Sequence, residues 1–120
     1  MKRVLVTGSR DWTDERQIRD VLLELSLWRG FMQAILVSGA CPTGADLMAE
    51  GLAEAMEWTI ERHPADWDTY GKRAGFLRNS EMVNLGANAC LAFIKNESRG
   101  ASMTARLAEE AGIPTWRFTK

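Results

Sequence analysis

The chain has 120 residues, enough for one domain that buries roughly two-thirds of its unfolded surface without disulfides or a structural metal. Apolar residues make up 46% and charged residues 26%, and a formal charge of -1 is unlike the strongly basic surface of a nucleic-acid-gripping protein. Cys41 and Cys90 offer neither a CxxC nor a zinc spacing, and the apolar run after Lys2-Arg3 is too short for a signal peptide. A cytoplasmic protein with free thiols, no membrane span, no metal and no cofactor is therefore expected.

Arg3 to Thr7 reads as a β-branched-rich strand ending at Gly8. Asp14 with Gln17 makes a capping-box-like start, after which Ile18, Val21, Leu22, Leu25 and Trp28 recur at helical spacing until Gly30. Ala34 to Val37 is a second strand. Thr43 with Asp46 can cap a second helix whose apolar face is Met48, Ala49, Leu52 and Met56. Trp58 to Arg62 is a third strand, cut off by His63-Pro64, and Thr69 to Leu85 is a third helix. Ala89 to Ile94 is a near-continuous apolar run, the mark of a strand buried on both faces. A last helix spans Ala101 to Ala111, stopped by Gly112 and Pro114, and Thr115 to Phe118 closes the chain as a strand.

This alternation predicts an α/β fold, a single Rossmann-like three-layer domain over residues 1–120 with helices on both faces of a parallel sheet. Right-handed crossovers favour the strand order 3-2-1-4-5. The topological switch then falls between the first and fourth strands, and a ligand is expected beyond their carboxyl ends.

The loops at that edge are Gly8-Ser9-Arg10-Asp11, Gly39 to Asp46, and Lys95 to Gly100. Gly39 and Gly44 have the G-x-x-x-x-G spacing of a phosphate-cradling loop, but Ala45 and Asp46 stand where its Lys and hydroxyl residue belong. The hallmarks of an NTPase are thus missing. Asp46 would either cap its helix or accept ribose hydroxyls or act as a base. Arg78 interrupts the stripe Ala74, Met82 and Leu85, so it needs an acceptor: a backbone carbonyl, a neighbouring carboxylate, or the anionic group of a ligand. His63 has no second ligand at metal spacing. Trp12 and Trp67 lie in presumed edge loops, where an indole could stack on a base.

"VLVTGSRDW", "SGACPTGAD", "HPADWDTYGKRAGFLRNSEMV" and "SRGASMTARLAEEAGIP", in that order, resemble the YspA-type, YpsA-related family of the SLOG superfamily. The resemblance runs from about Arg3 to Pro114. It implies a Rossmann-like fold that binds nucleotides or nucleotide-derived ligands. Relatives include the LOG-type phosphoribohydrolases, which cleave a nucleoside monophosphate to base and ribose phosphate, and the Smf proteins, which bind single-stranded DNA.

Against the LOG-type motif R-K-x-x-M, this chain has Arg78, Asn79 and Met82. Against P-G-G-x-G-T-x-x-E it keeps Gly100, while Thr104 stands at the position of the glutamate. By that resemblance the phosphate-holding parts are retained and the catalytic carboxylate is replaced, with Asp11, Asp46 or Glu97 as the substitutes available. The expected ligand-binding set is Gly8, Ser9, Arg10, Asp11, Gly39, Gly44, Asp46, Arg78, Asn79, Ser98, Arg99, Gly100 and Ser102, and no catalytic residue is assigned. The expected partner is a small nucleotide or derivative, a nucleoside monophosphate or an ADP-ribose-like compound. A phosphoribohydrolase and a single-stranded nucleic-acid binder are the alternatives. The relatives often pair through helices, so a homodimer is compatible with apolar positions on the third and last helices.

Overall fold

Strand β1 (Lys2–Gly8) lies at the centre of the sheet because Val4, Leu5 and Val6 are all fully buried, their side chains alternating between the two faces. The computed structural model describes all 120 residues. β1 pairs in parallel with β2 (Ala34–Ser38) on one side and β4 (Ala89–Ile94) on the other. β3 (Thr59–Arg62) and β5 (Thr115–Thr119) form the edges, giving the order β3-β2-β1-β4-β5. This is the expected order, and every residue of β4 is buried as its apolar run predicts.

Helices α1 (Glu15–Trp28) and α2 (Gly44–Ala55) cover one face. There Ile18, Leu22, Ala49 and Ala53 pack on Val4, Val6, Leu36 and Phe93. On the other face lie α4 (Ala74–Asn84) and α5 (Arg99–Glu110), with Met82, Val83 and Ala108 against Leu5, Val37 and Cys90. The result is one three-layer α/β domain. No helix is long and apolar enough to cross a membrane.

The Asp14 carboxylate accepts from the Gln17 N–H at 3.1 Å and starts α1 as its spacing predicts. The second helix departs from expectation: Thr43 makes no side-chain cap, and Asp46 reaches back to the Cys41 N–H instead. The third predicted helix is broken. α3 (Trp67–Tyr70) ends at Gly71, whose φ of +58° carries the chain out of the helix, and a 3₁₀ turn (Gly71–Arg73) leads into α4. The last helix starts at Arg99, two residues before the expected start.

Candidate functional site

The carboxyl ends of β1, β2 and β4 open onto a cavity of about 480 Å³ at the predicted switch point, within the usual range for a small-molecule site. Its floor is fixed by Ser9. The Ser9 hydroxyl accepts from the Lys95 N–H at 2.7 Å and lies 3.2 Å from the Lys95 carbonyl, to which it donates. The Ser9 N–H donates to the Phe93 carbonyl, while its own carbonyl accepts from the Trp12 and Ala45 N–H groups. The loops after β1 and β4 are thus held together, with the start of α2 against them.

Two glycines let these backbones meet. A Cβ on Gly8 would overlap the Ala45 methyl, and one on Gly44 would overlap the Ser9 and Arg10 backbone. Gly44, at φ +72°, also holds a conformation that side chains rarely adopt. The phosphate-loop spacing of Gly39 and Gly44 therefore serves a loop-to-loop contact at its second glycine.

Ten of the thirteen expected residues line the cavity: Gly8, Ser9, Arg10, Asp11, Gly39, Asp46, Arg78, Asn79, Ser98 and Gly100. Gly44 lies beneath the floor, and Arg99 and Ser102 lie outside the lining. Sequence reasoning did not select Lys95, Asn96, Lys72 or Phe76, which also line it. The place of Lys95, directly after the apolar run of the central strand β4, is the signal that would have found it. Trp67 stands at the rim, 49% exposed, with the Arg10 guanidinium 5.9 Å from its ring centre. Trp12 instead is 1% exposed and donates its indole N–H to the Asp14 carbonyl, because it fills the core beside Phe93. It is not free to stack on a ligand.

Arg78 does find backbone acceptors. Its Nη1 donates to the Gly39 carbonyl and, at 3.5 Å, to the His63 carbonyl, and its Nε donates to Asn79 Oδ1 at 2.8 Å. Nη2 has no protein acceptor. Burial pulls the guanidinium below its ordinary pKa, and the nearby Asp46 opposes that shift. Asp46 is only 6% exposed; one carboxylate oxygen accepts from the Cys41 N–H at 3.2 Å, and the other, Oδ1, has no partner. Its burial raises its pKa to about 6, although the Cys41 N–H and Arg78 favour the ionised form.

The start of α5 also reaches the cavity, and Ser98 gives it no side-chain cap. The N–H groups of Arg99, Gly100 and Ala101 have no acceptor, and Gly100 and Ala101 line the cavity. Arg10, Lys72, Arg78 and Lys95 outnumber Asp11 and Asp46 in the lining, so the cavity is electropositive in a chain whose formal charge is -1. Unpaired helix N–H groups at an electropositive wall are suited to an anion. Thr104 is fully buried and donates its hydroxyl to the Gly100 carbonyl, so it presents no group to the cavity.

The profile of the family described as "YspA, cpYpsA-related SLOG family" matches residues 2–70. The chain is 43% identical to the Gene 61 protein of Mycobacterium phage D29 over 123 residues, covering 98% of this chain and 97% of that protein. No solved structure matches it significantly.

Proposed function

Since the chain belongs to the YspA, cpYpsA-related SLOG family, we propose that it binds a phosphate-bearing nucleotide or nucleotide-derived small molecule in the cavity over β1 and β4. The observation that carries this reading is the uncapped start of α5 on the wall of an electropositive cavity. Phosphate oxygens would take the N–H groups of Gly100 and Ala101, with Lys95 and Arg78 nearby. The base would lie toward Trp67 and Phe76, where an exposed indole offers a stacking surface. Such a ligand and two free thiols fit a cytoplasmic protein.

The test is the melting midpoint of the wild type and of Arg78→Ala against AMP, CMP, ADP-ribose, NAD and ATP. A ligand at a hundredfold excess over its Kd stabilises the native state by about 2.7 kcal/mol, a rise of several degrees for a domain this size. A rise with one of these ligands, reduced or lost in Arg78→Ala, is expected. No rise with any of them overturns the reading.

A hydrolytic use of the same pocket is the second reading, and the environment of Asp46 favours it. Among the three substitute carboxylates, Asp11 is exposed and accepts from the Asn96 amide at 3.3 Å, and Glu97 lies outside the lining. Asp46 alone combines burial with a pKa raised to about 6, a value suited to a general base near neutral pH. Base released from AMP or CMP by the wild type, and abolished in Asp46→Asn, would establish it.

A further inference from the structure

We propose that Asp46 reads the hydroxyl groups of the ligand's sugar, so that the pocket takes ribose phosphates in preference to their 2-deoxy counterparts. The proposal rests on the reading of the cavity as a nucleotide pocket. Its basis is a buried carboxylate in the lining with an unpartnered oxygen, Oδ1. Burying a carboxylate without a donor for each oxygen is costly, so a partner is expected from the ligand.

The chemistry of that partner is constrained. An ionised carboxylate only accepts hydrogen bonds and repels phosphate oxygens, so the arriving group must be a donor. A metal cation is opposed by Arg78 and Arg10, whose positive charges already act on Asp46. Gly39 packs directly against both groups, and a Cβ there would lie 3.1 Å from Asp46 Oδ2 and 2.8 Å from Arg78 Nη1. A sugar hydroxyl placed between them can donate to Asp46 while accepting from the free Nη2 of Arg78. In a nucleotide the sugar stands between phosphate and base. The cavity lining holds a group suited to each part: the uncapped start of α5, Asp46 with Arg78 beside Gly39, and the indole of Trp67.

The experiment is titration calorimetry of the wild type and Asp46→Asn with ribose 5-phosphate against 2-deoxyribose 5-phosphate, and AMP against 2′-deoxy-AMP. The sugar phosphates carry no N-glycosidic bond, so turnover does not enter their comparison. The wild type is expected to prefer the ribose forms about tenfold or more at pH 8. Asp46→Asn should lose most of that preference, because an amide N–H takes the place of the accepting oxygen and only the contact from Arg78 Nη2 remains.

The wild-type preference should also fade at pH 5. Asp46 is then protonated against the Cys41 N–H, Glu50, Arg10 and Arg78 that surround it. Titration of the phosphate is common to both members of a pair and cancels. Equal binding by the wild type at pH 8, or a preference undiminished in Asp46→Asn, overturns the proposal and leaves the nucleotide reading intact. If neither AMP nor any sugar phosphate binds, this proposal falls, while the nucleotide reading falls only if CMP, ADP-ribose, NAD and ATP also leave the melting midpoint unchanged. The wild-type comparison stands whether or not the variant folds.

Discussion

Gly8 at the end of β1 and Ala45 in the first turn of α2 lie so close that a Cβ on residue 8 would overlap the Ala45 methyl. The same Cβ would come within 3.0 Å of the Phe93 carbonyl oxygen, so the position is closed on two sides. This contact seats the start of α2, and Asp46 with it, against the cavity floor.

Gly8→Ala should therefore destabilise the fold by about 1–3 kcal/mol, the usual cost of overpacking. For a domain this size the melting midpoint should fall by roughly 4–12 °C. Adding Ala45→Gly removes the overlapping methyl and should recover part of the loss. Thermal melts of the single and double variants check this; an unchanged midpoint in Gly8→Ala would refute it.

The pH dependence of stability should carry opposite contributions from two carboxyl groups. Burial raises Asp46 to about 6, so the folded chain holds this proton more tightly than the unfolded chain does. Its contribution to stability is present below about pH 4 and is lost as pH rises through 6. Glu61 behaves in reverse. Hydrogen bonds from Arg3 at 2.7 and 2.9 Å, then from His63, hold it down to about 2. Its contribution is present above about pH 4.5 and is lost as pH falls toward 2. Calorimetry should find Asp46→Asn melting several degrees above the wild type at pH 7, with the gap closing toward pH 4. Glu61→Gln should flatten the acid limb below pH 4.5.

The two thiols should differ sharply in reactivity. Cys90 is fully buried in β4, and burial pushes its thiol up to about 12, so it should be silent to iodoacetamide in the native protein. Cys41 is half-buried and lines the cavity, so it should react. Mass spectrometry should find one alkylated cysteine per native chain and two after denaturation. A ligand that raises the melting midpoint should slow the reaction at Cys41. Equal labelling of both residues in the native state would contradict the burial of Cys90.

The sheet was legible in the sequence because strand identity is written locally. The run Ala89 to Ile94 is apolar without a break, and Val4, Leu5 and Val6 fill both faces, so the central pair declares itself. The Asp14 cap was legible for the same reason, its acceptor and donor lying three residues apart. What was not legible depends on partners distant in sequence. The left-handed Gly71 is one of several glycines that could have ended the third helix. Asp46 abandons the cap for Cys41 because the β2–α2 loop folds back over it. Trp12 looks like an edge-loop aromatic until Phe93, far along the chain, closes over it. Most of the candidate site was found through its glycines and charges, whereas Lys72 and Phe76, which follow the break at Gly71, join the lining while remaining exposed.

The placement of β1 between β2 and β4 also sets the order in which this chain is completed as it is synthesised. β1 can pair with β2 once residues up to Ser38 are available, but its other edge waits for β4, with Val4 aligned to Ala89. At ordinary elongation rates that separation of 85 residues (89 − 4) corresponds to roughly 4–17 seconds. Throughout that interval one side of the most apolar strand pair is unsealed, and the Ser9–Lys95 tie is absent. The pocket floor is therefore among the last features to form on the ribosome, and a chain cut short before β4 would carry an open sheet edge and no complete site.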